Sequence, residues 1–409
     1  MNRKKIFFIS YDGMTDPLGQ SQVIPYLQGL SRNYDIILMS CEKKPALRQY
    51  KKLVEEMLVG FNIQWVPLIY TKNPPVISTW WDIVKMKAMA KRIFQSMGID
   101  MVHTRPGIPS LIGLWMKKKY GIKYLNDIRE FYADSRVDGG MWNKRNMLYN
   151  FIYKYFKKKE SESVSLSDGI VCLTYAAQRI IIKWPEYNKQ IPIKVIPCSV
   201  DLQLFDPLAI IPEEKDKLRS KLNISENDII VTYLGSIGGW YLTDEMMECC
   251  GVILKKIPAV KFLFISPHRH KLIVQAAQKF EIPDEKIVVY HARRSEVPML
   301  ISFSTYSLFF IRPCYSKLSS SPTKHGEIMA MGVPVITNSG VGDLEEIVKK
   351  YKSGIVLRNF SKESFNSLAS ELSLAGPYNK ESIRNGAEEY YSLSNAIKNY
   401  EELYALILK

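Results

Sequence analysis

The residues best equipped for chemistry lie in one run, Ser319-Ser320-Ser321-Pro322-Thr323-Lys324-His325-Gly326-Glu327. Ser321 suits a helix N-cap and Pro322 the first helical position, and Gly332 fits the C′ position that ends the helix after about ten residues. The first turn then offers free N–H groups, a positive dipole end and the Lys324 ammonium, which together favour an anion such as phosphate. Thr323, Lys324 and Glu327 share one helical face. A carboxylate one turn along from a phosphate suits the two hydroxyls of a ribose. A lone motif of this type also occurs as a plain cap with a solvated glutamate.

Two glycine-bearing loops could bring backbone close to a ligand. Tyr11-Asp12-Gly13-Met14-Thr15-Asp16-Pro17-Leu18-Gly19-Gln20 follows the first apolar run, with Gly19 and Gln20 at the start of a helix. Tyr233-Leu234-Gly235-Ser236-Ile237-Gly238-Gly239-Trp240 closes a later run, and a sharp turn without a ligand fits it equally well. Neither is a G-x-G-x-x-G or a P-loop pattern. Asp127, in Tyr124-Leu125-Asn126-Asp127-Ile128-Arg129, lies at a strand end, with Arg129 as its orienting partner. A purely structural Asp127–Arg129 pair is the alternative, and His103 is the rival catalytic candidate. No H-E-x-x-H motif appears and no metal is expected. The six cysteines form no C-x-x-C pair and read as reduced, structural thiols.

These residues need elements to hold them. Short β-rich runs alternate with longer amphipathic stretches. The runs are Lys5–Ser10, Asp35–Ser40, Ile63–Leu68, Met101–Thr104, Lys123–Asp127 and Gly169–Leu173, then Ile229–Leu234, Lys261–Ile265, Lys286–Tyr290, Leu308–Ile311, Pro334–Thr337 and Gly354–Leu357. Helical patterns such as Gln22–Leu30, Ile83–Met97 and Gly326–Met331 lie between them. Alternation of this kind means βαβ units and parallel sheets. Two series of strands in 409 residues predict two doubly wound domains. Pro185, Pro192, Pro197, Pro207 and Pro212 mark a stiff connection between them, around one strand-like run, Ile193–Pro197. Ligands of open α/β sheets bind at the carboxyl ends of strands, so a site between the two domains is expected.

A composition of 46% hydrophobic and 24% charged residues excludes a mainly disordered chain. The net charge of +15 is uneven. Residues 1–200 carry 31 Lys and Arg against 16 Asp and Glu, and residues 201–409 carry 25 of each. The first half is therefore expected to meet something anionic. Two stretches mix basic and aromatic residues, Trp80–Phe94 and Trp142–Lys159, the latter with Lys154, Lys157, Lys158 and Lys159. That mixture suits a helix on an anionic membrane, and equally a core helix with a solvated basic face. No nucleic-acid motif accompanies the charge. The N-terminal apolar run, Ile6–Ile9, is too short for a signal peptide. A cytoplasmic protein, peripheral on the inner face of the membrane, is expected.

Taken together, the chain resembles retaining GT-B glycosyltransferases of family four (group 1). Besides the Gly19-Gln20 turn, Ile196-Pro197-Cys198-Ser199-Val200-Asp201 through Phe205 is similar to the family's interdomain segment. Ser321-Pro322-Thr323-Lys324 through Gly332-Val333-Pro334 is similar to its donor-nucleotide motif, and Tyr391-Ser392-Leu393-Ser394 to its closing helix. The resemblance implies two Rossmann-like domains facing a central cleft, 1–205 with 390–409 and 206–389, the C-terminal helix crossing back to the first. It implies a nucleotide-sugar donor, a saccharide or lipid-linked acceptor, and hexosyl transfer with retention. Glu327 corresponds to the second glutamate of the family's E-x7-E motif, on the ribose, while Ser319 stands where the first would be. Ser236, Trp240 and Tyr241 follow the Gly235 turn, where the family often has Arg and Lys. Lys324, with Arg293 or Arg294, is then expected on the diphosphate. A non-catalytic nucleotide-sugar-binding subunit, a GT-B epimerase and a dinucleotide-dependent oxidoreductase are the alternatives.

Overall fold

A computed structural model describes residues 3–374 and 376–409. It divides into two compact units, Met1–Pro197 with Leu393–Lys409, and Cys198–Ser392.

The first unit is built on β1 (Lys5–Ile9), β2 (Asp35–Glu42), β3 (Ile63–Ile69), β4 (Met101–Thr104), β5 (Lys123–Ile128), β6 (Gly169–Cys172) and β7 (Ile193–Val195). Their order in the sheet is β3-β2-β1-β4-β5-β6-β7, and the paired strands are parallel. β1 shows why the runs are apolar on both sides. Ile6 and Phe8 enter one core with the helices Ile24–Leu30 and Leu393–Ile407, whereas Phe7 and Ile9 enter another with Ile77–Met97 and Ile108–Tyr120. Successive side chains point to opposite faces, and helices cover both.

The second unit repeats the plan with β8 (Ile229–Leu234), β9 (Val260–Ile265), β10 (Ile287–Tyr290), β11 (Tyr306–Leu308), β12 (Val335–Asn338) and β13 (Gly354–Leu357), in the order β10-β9-β8-β11-β12-β13. β11 begins and ends earlier than its apolar run suggests. The Asn338 amide takes over the ladder beyond it, accepting from Ile311 N at 2.8 Å and donating to Ile311 O at 2.9 Å. In each sheet the strand order reverses once, beside β1 in the first and between β8 and β11 in the second. Ligand crevices of open α/β sheets form at such a reversal, and the Gly235 loop leaves β8 at this point.

The unit boundary falls at 197/198 and 392/393, not at 205/206 and 389/390. The intervening segment folds with the second unit for specific reasons. Val200 bridges to Ser392, and Phe205 is buried in the second core. The Arg384 guanidinium donates to Phe205 O at 2.8 Å and to Ala330 O at 2.7 Å. The same side chain thus fixes the linker and caps the carbonyl end of the helix Thr323–Ala330. The C-terminal helix Leu393–Ile407 does join the first unit, burying Ala396, Tyr400, Leu403, Tyr404 and Ile407 at helical spacing.

Candidate functional site

The helix carrying the motif runs from Thr323 to Ala330, shorter than its sequence suggests. Pro322 occupies the N-cap, with no side-chain cap. Ser321 does not cap the helix; its hydroxyl accepts from Cys198 N at 3.2 Å and ties the linker down. The first-turn N–H groups are therefore left without a side-chain cap. Gly332 has φ +68° and closes the helix from the left-handed region.

Lys324 is the unusual group. It is only 6% exposed, and its Nζ has no hydrogen-bond partner among the described residues. Three rings surround it: Nζ lies 3.7 Å from the Tyr241 centroid, 4.4 Å from Tyr233 and 5.7 Å from Phe309. Cation–π attraction offsets part of the lost hydration. Burial still wins, pulling the ammonium down to about 7, against the nearby Glu327 carboxylate, which favours the charge. The open side is the backbone of the Gly235 loop. A Cβ on Gly235 would sit 2.9 Å from Nζ, and Gly235 has φ +117°, so both space and backbone require glycine there. Ser236, next along, is exposed, and its carbonyl accepts from the Tyr233 hydroxyl.

Glu327, one turn on, is also 6% exposed, and its Oε1 accepts from Arg294 Nη1 at 2.8 Å. Arg294 lies over the Phe205 ring as well. Of the two arginines expected on the diphosphate, Arg294 is thus held by Glu327. Arg293 points elsewhere, bonded to Glu296 on the surface, where that pair caps the short turn Arg294–Glu296. Thr323 is half-buried at the head of the helix. Ser319 is fully buried, and its hydroxyl bonds back to Ser316 O at 2.8 Å. It stabilises its own turn.

In the first unit the glycine loop is organised by a residue that sequence reading passed over. The buried Glu42, at the end of β2, accepts from Met14 N at 2.7 Å, from Thr15 N at 3.1 Å and from Thr15 Oγ1 at 2.6 Å. A lone carboxylate closing an apolar strand was the available signal. Gly19 lies inside the helix Pro17–Gln22, and a Cβ there would meet Gly13 O at 2.3 Å. Its smallness serves helix-to-loop packing. Gln20, beside it, is half-buried.

Asp127 is 1% exposed. Its Oδ2 accepts from Tyr400 at 2.8 Å, with His103 Nε2 at 3.4 Å and Arg129 Nη1 at 3.7 Å. This strand-end group lies beneath the helix Leu393–Ile407, which supplies Tyr400. Burial would raise this carboxyl, but Arg129, His103 and Arg105 outweigh it and hold it below its usual value. His103 shares the cover, its Nδ1 2.6 Å from the Tyr404 hydroxyl, and burial holds it below its usual value against the pull of Asp127.

The basic stretches resolve into exposed and paired parts. On Met147–Leu166, Met147 is 89% and Phe151 68% exposed, with Leu148 and Tyr155 also exposed. On Ile77–Met97, Ile77, Trp80 and Trp81 are exposed. Both helices pack against Ile108–Tyr120, which carries Lys117, Lys118 and Lys119. Lys157 is not available, because it pairs with Asp134 at 2.8 Å and Glu160 at 3.0 Å. Lys159 pairs with Glu162. Lys154 and Lys158 are exposed, with no acidic partner among the described residues.

An uncapped helix start, a caged lysine and a carboxylate one turn along thus lie beside the strand-order reversal of a parallel sheet. Residues 214–389 match the family model for glycosyl transferases group 1. This segment is a group 1 glycosyl transferase domain. The group 1 domain holds Lys324, its three rings, Gly235, Glu327 and Arg294. The chain is 24% identical over 254 residues to the alpha-monoglucosyldiacylglycerol synthase of Streptococcus pneumoniae, a match covering 61% of this chain and 54% of that protein. The chain thus spans about half the length of that relative. Among solved structures, sucrose-phosphate synthase from Thermosynechococcus elongatus is similar with a TM-score of 0.75 at 15% identity, over 98% of both chains. Anabaena HepE in complex with UDP and glucose is similar with a TM-score of 0.73 at 12% identity, over 98% of this chain and 100% of that one. At such identities the likeness is one of fold, and the fold is GT-B.

Proposed function

We propose that the protein transfers a hexosyl group from a nucleoside-diphosphate sugar to a lipid-linked or saccharide acceptor, with retention, in glycolipid or cell-surface polysaccharide assembly. The observation that carries this reading is the buried, unpartnered Lys324 beside Gly235, with Glu327 one turn along. Lys324 and the uncapped helix start take the diphosphate. Glu327, steadied by Arg294, takes the ribose. The bond from the anomeric carbon to the diphosphate oxygen breaks while the acceptor oxygen bonds on the same face. The acceptor proton passes to the departing phosphate oxygen. Lys324 holds the charge that accumulates there, with no bound metal and no enzymatic nucleophile.

Titration with UDP, GDP, ADP and their sugars tests the nucleotide site. Glu327→Gln is expected to weaken the nucleotide that binds by about 1.5–3 kcal/mol, the usual worth of a hydrogen bond to a charged group. An unchanged Kd removes Glu327 from the site. A second reading, a non-catalytic donor-binding subunit, draws on Ser319, whose hydroxyl is spent on its own turn. Measured transfer or donor hydrolysis excludes it.

The exposed apolar and basic face of the first unit supports a lipid acceptor. No helix among the described residues is long and apolar enough to cross a membrane, so we infer a peripheral contact with anionic lipid. Co-sedimentation with phosphatidylglycerol vesicles is expected at low salt and is expected to fall at high salt. Each surface lysine contributes about 1 kcal/mol to such binding. Lys154→Gln with Lys158→Gln is therefore expected to weaken it by roughly thirtyfold, without altering nucleotide affinity. Indifference of the wild type to these vesicles at low salt makes a soluble acceptor the better reading.

A further inference from the structure

The group 1 domain has a cavity of about 350 Å³, lined in part by Lys215, Arg219, Phe303, Tyr306, Tyr378 and Lys380. Ile230 and Tyr306 place it at the amino-terminal ends of β8 and β11. Gly235 and Lys324 belong to the other end of the same parallel sheet. The cavity is therefore separate from the nucleotide site, and its volume falls in the ordinary range for small-molecule pockets.

Its lining combines cations with rings. Lys215 and Arg219 are one turn apart on the helix Pro212–Lys221, and their charged heads lie 5.4 Å and 5.6 Å from the Phe303 ring centroid. Tyr306 and Tyr378 meet edge to face at 6.0 Å. The cations are incompletely answered. Lys215 donates to Ser302 O at 3.0 Å, and Arg219 Nε has no hydrogen-bond partner, its nearest acid being Asp216 at 3.7 Å. Burial, with Arg219 and Lys380 close by, pushes the Lys215 ammonium down against the weaker pull of Asp216. Two acids also line the cavity. Asp228 is committed to Lys261 at 2.9 Å and to Ser225 N, while Glu226 is solvent-exposed. Like charges gathered around aromatic walls are stabilised by an anion with a flat apolar body.

We propose that this cavity is a second ligand site, taking a small molecule that joins a phosphate or similar anionic group to a ring. The anion meets Lys215, Arg219 and Lys380, and the ring lies among Phe303, Tyr306 and Tyr378. Lys380 opens the helix Lys380–Tyr391, which packs along Thr323–Ala330. An occupant therefore touches the element that backs the Lys324 helix.

Calorimetric titration of the full chain with phenyl phosphate, inorganic phosphate and benzyl alcohol tests this. Phenyl phosphate is expected to bind at least tenfold more tightly than either of the others. Lys215→Met with Arg219→Met is expected to weaken it at least tenfold, and Lys324→Met to leave it within twofold. That last arm keeps the outcome independent of the nucleotide reading. Equal affinity for inorganic phosphate, or a double variant within twofold of wild type, overturns the proposal. Should the double variant fail to fold, Tyr378→Ala and Lys380→Gln replace it. Each is expected to cost at least threefold, and no loss in either overturns the proposal.

Discussion

Lys324→Met is expected to lower turnover about 100- to 1000-fold, the usual effect of removing one preorganised donor from a developing oxyanion. Methionine fills the ring cage without the charge, so the fold is expected to survive. The companion effect is on pH. Burial disfavours the charge and draws the ammonium down to about 7. A bound diphosphate favours the charged form, so binding above neutrality takes up a proton. Donor affinity is therefore expected to fall as pH rises above 7, approaching tenfold per unit, and the variant is expected to lose that slope. Folding stability runs the opposite way. The unfolded lysine keeps its proton up to about 10.5 while the folded one sheds it near 7, so this group favours the fold more as pH rises between those values. Nucleotide titrations at pH 6.5, 7.5 and 8.5 decide the matter. Parallel pH profiles for wild type and Lys324→Met remove the lysine from the diphosphate.

The second large effect is on stability. Asp127→Asn keeps an acceptor for Tyr400 but removes the carboxylate charge that faces the buried Arg129 and Arg105. Removing one partner of a buried ion pair costs about 3–5 kcal/mol. For a unit of this size that lowers the melting temperature by roughly 10 °C. Nucleotide binding by the group 1 domain is expected to persist at temperatures where the variant remains folded. The pH dependence follows from two depressed values. His103, lowered by burial, withdraws stability as pH falls below its usual 6.5. Asp127 contributes stability present above its usual 3.8, lost as pH falls further. Thermal melts from pH 7 to 3 read both limbs. A variant that melts like wild type yet transfers nothing restores Asp127 as a catalytic group.

Much of the fold was legible because parallel strands buried on both faces leave unbroken apolar runs. Met101–Thr104, Ile229–Leu234 and Gly354–Leu357 coincide with their strands to the residue. Boundaries failed where a side chain took over a backbone role, as Asn338 does beyond β11. The helix bearing Lys324 and Glu327 was legible from Pro322 and Gly332. Its ring cage was not, since Tyr233, Tyr241 and Phe309 reach one point only through the sheet. Ion pairing was the least legible. Nothing in the spacing separates Lys157, tied to Asp134 and Glu160, from Lys158, which is exposed one residue later. Arg293 and Arg294 are adjacent too, and only the three-dimensional turn sends one to Glu296 and the other to Glu327.

The return of Leu393–Ile407 to the first unit sets an order of events on the ribosome. Residues 3–197 emerge first, but the core under Tyr400 and Tyr404 stays open until the whole of Cys198–Ser392 has followed. At about 5–20 residues per second that delay is roughly 10–40 s. Collapse to near-native sheets takes far less. The nascent first unit therefore waits with an apolar groove and the buried charges of Asp127, Arg105 and Arg129 uncovered. The group 1 domain, contiguous in sequence, is completed before the unit that precedes it.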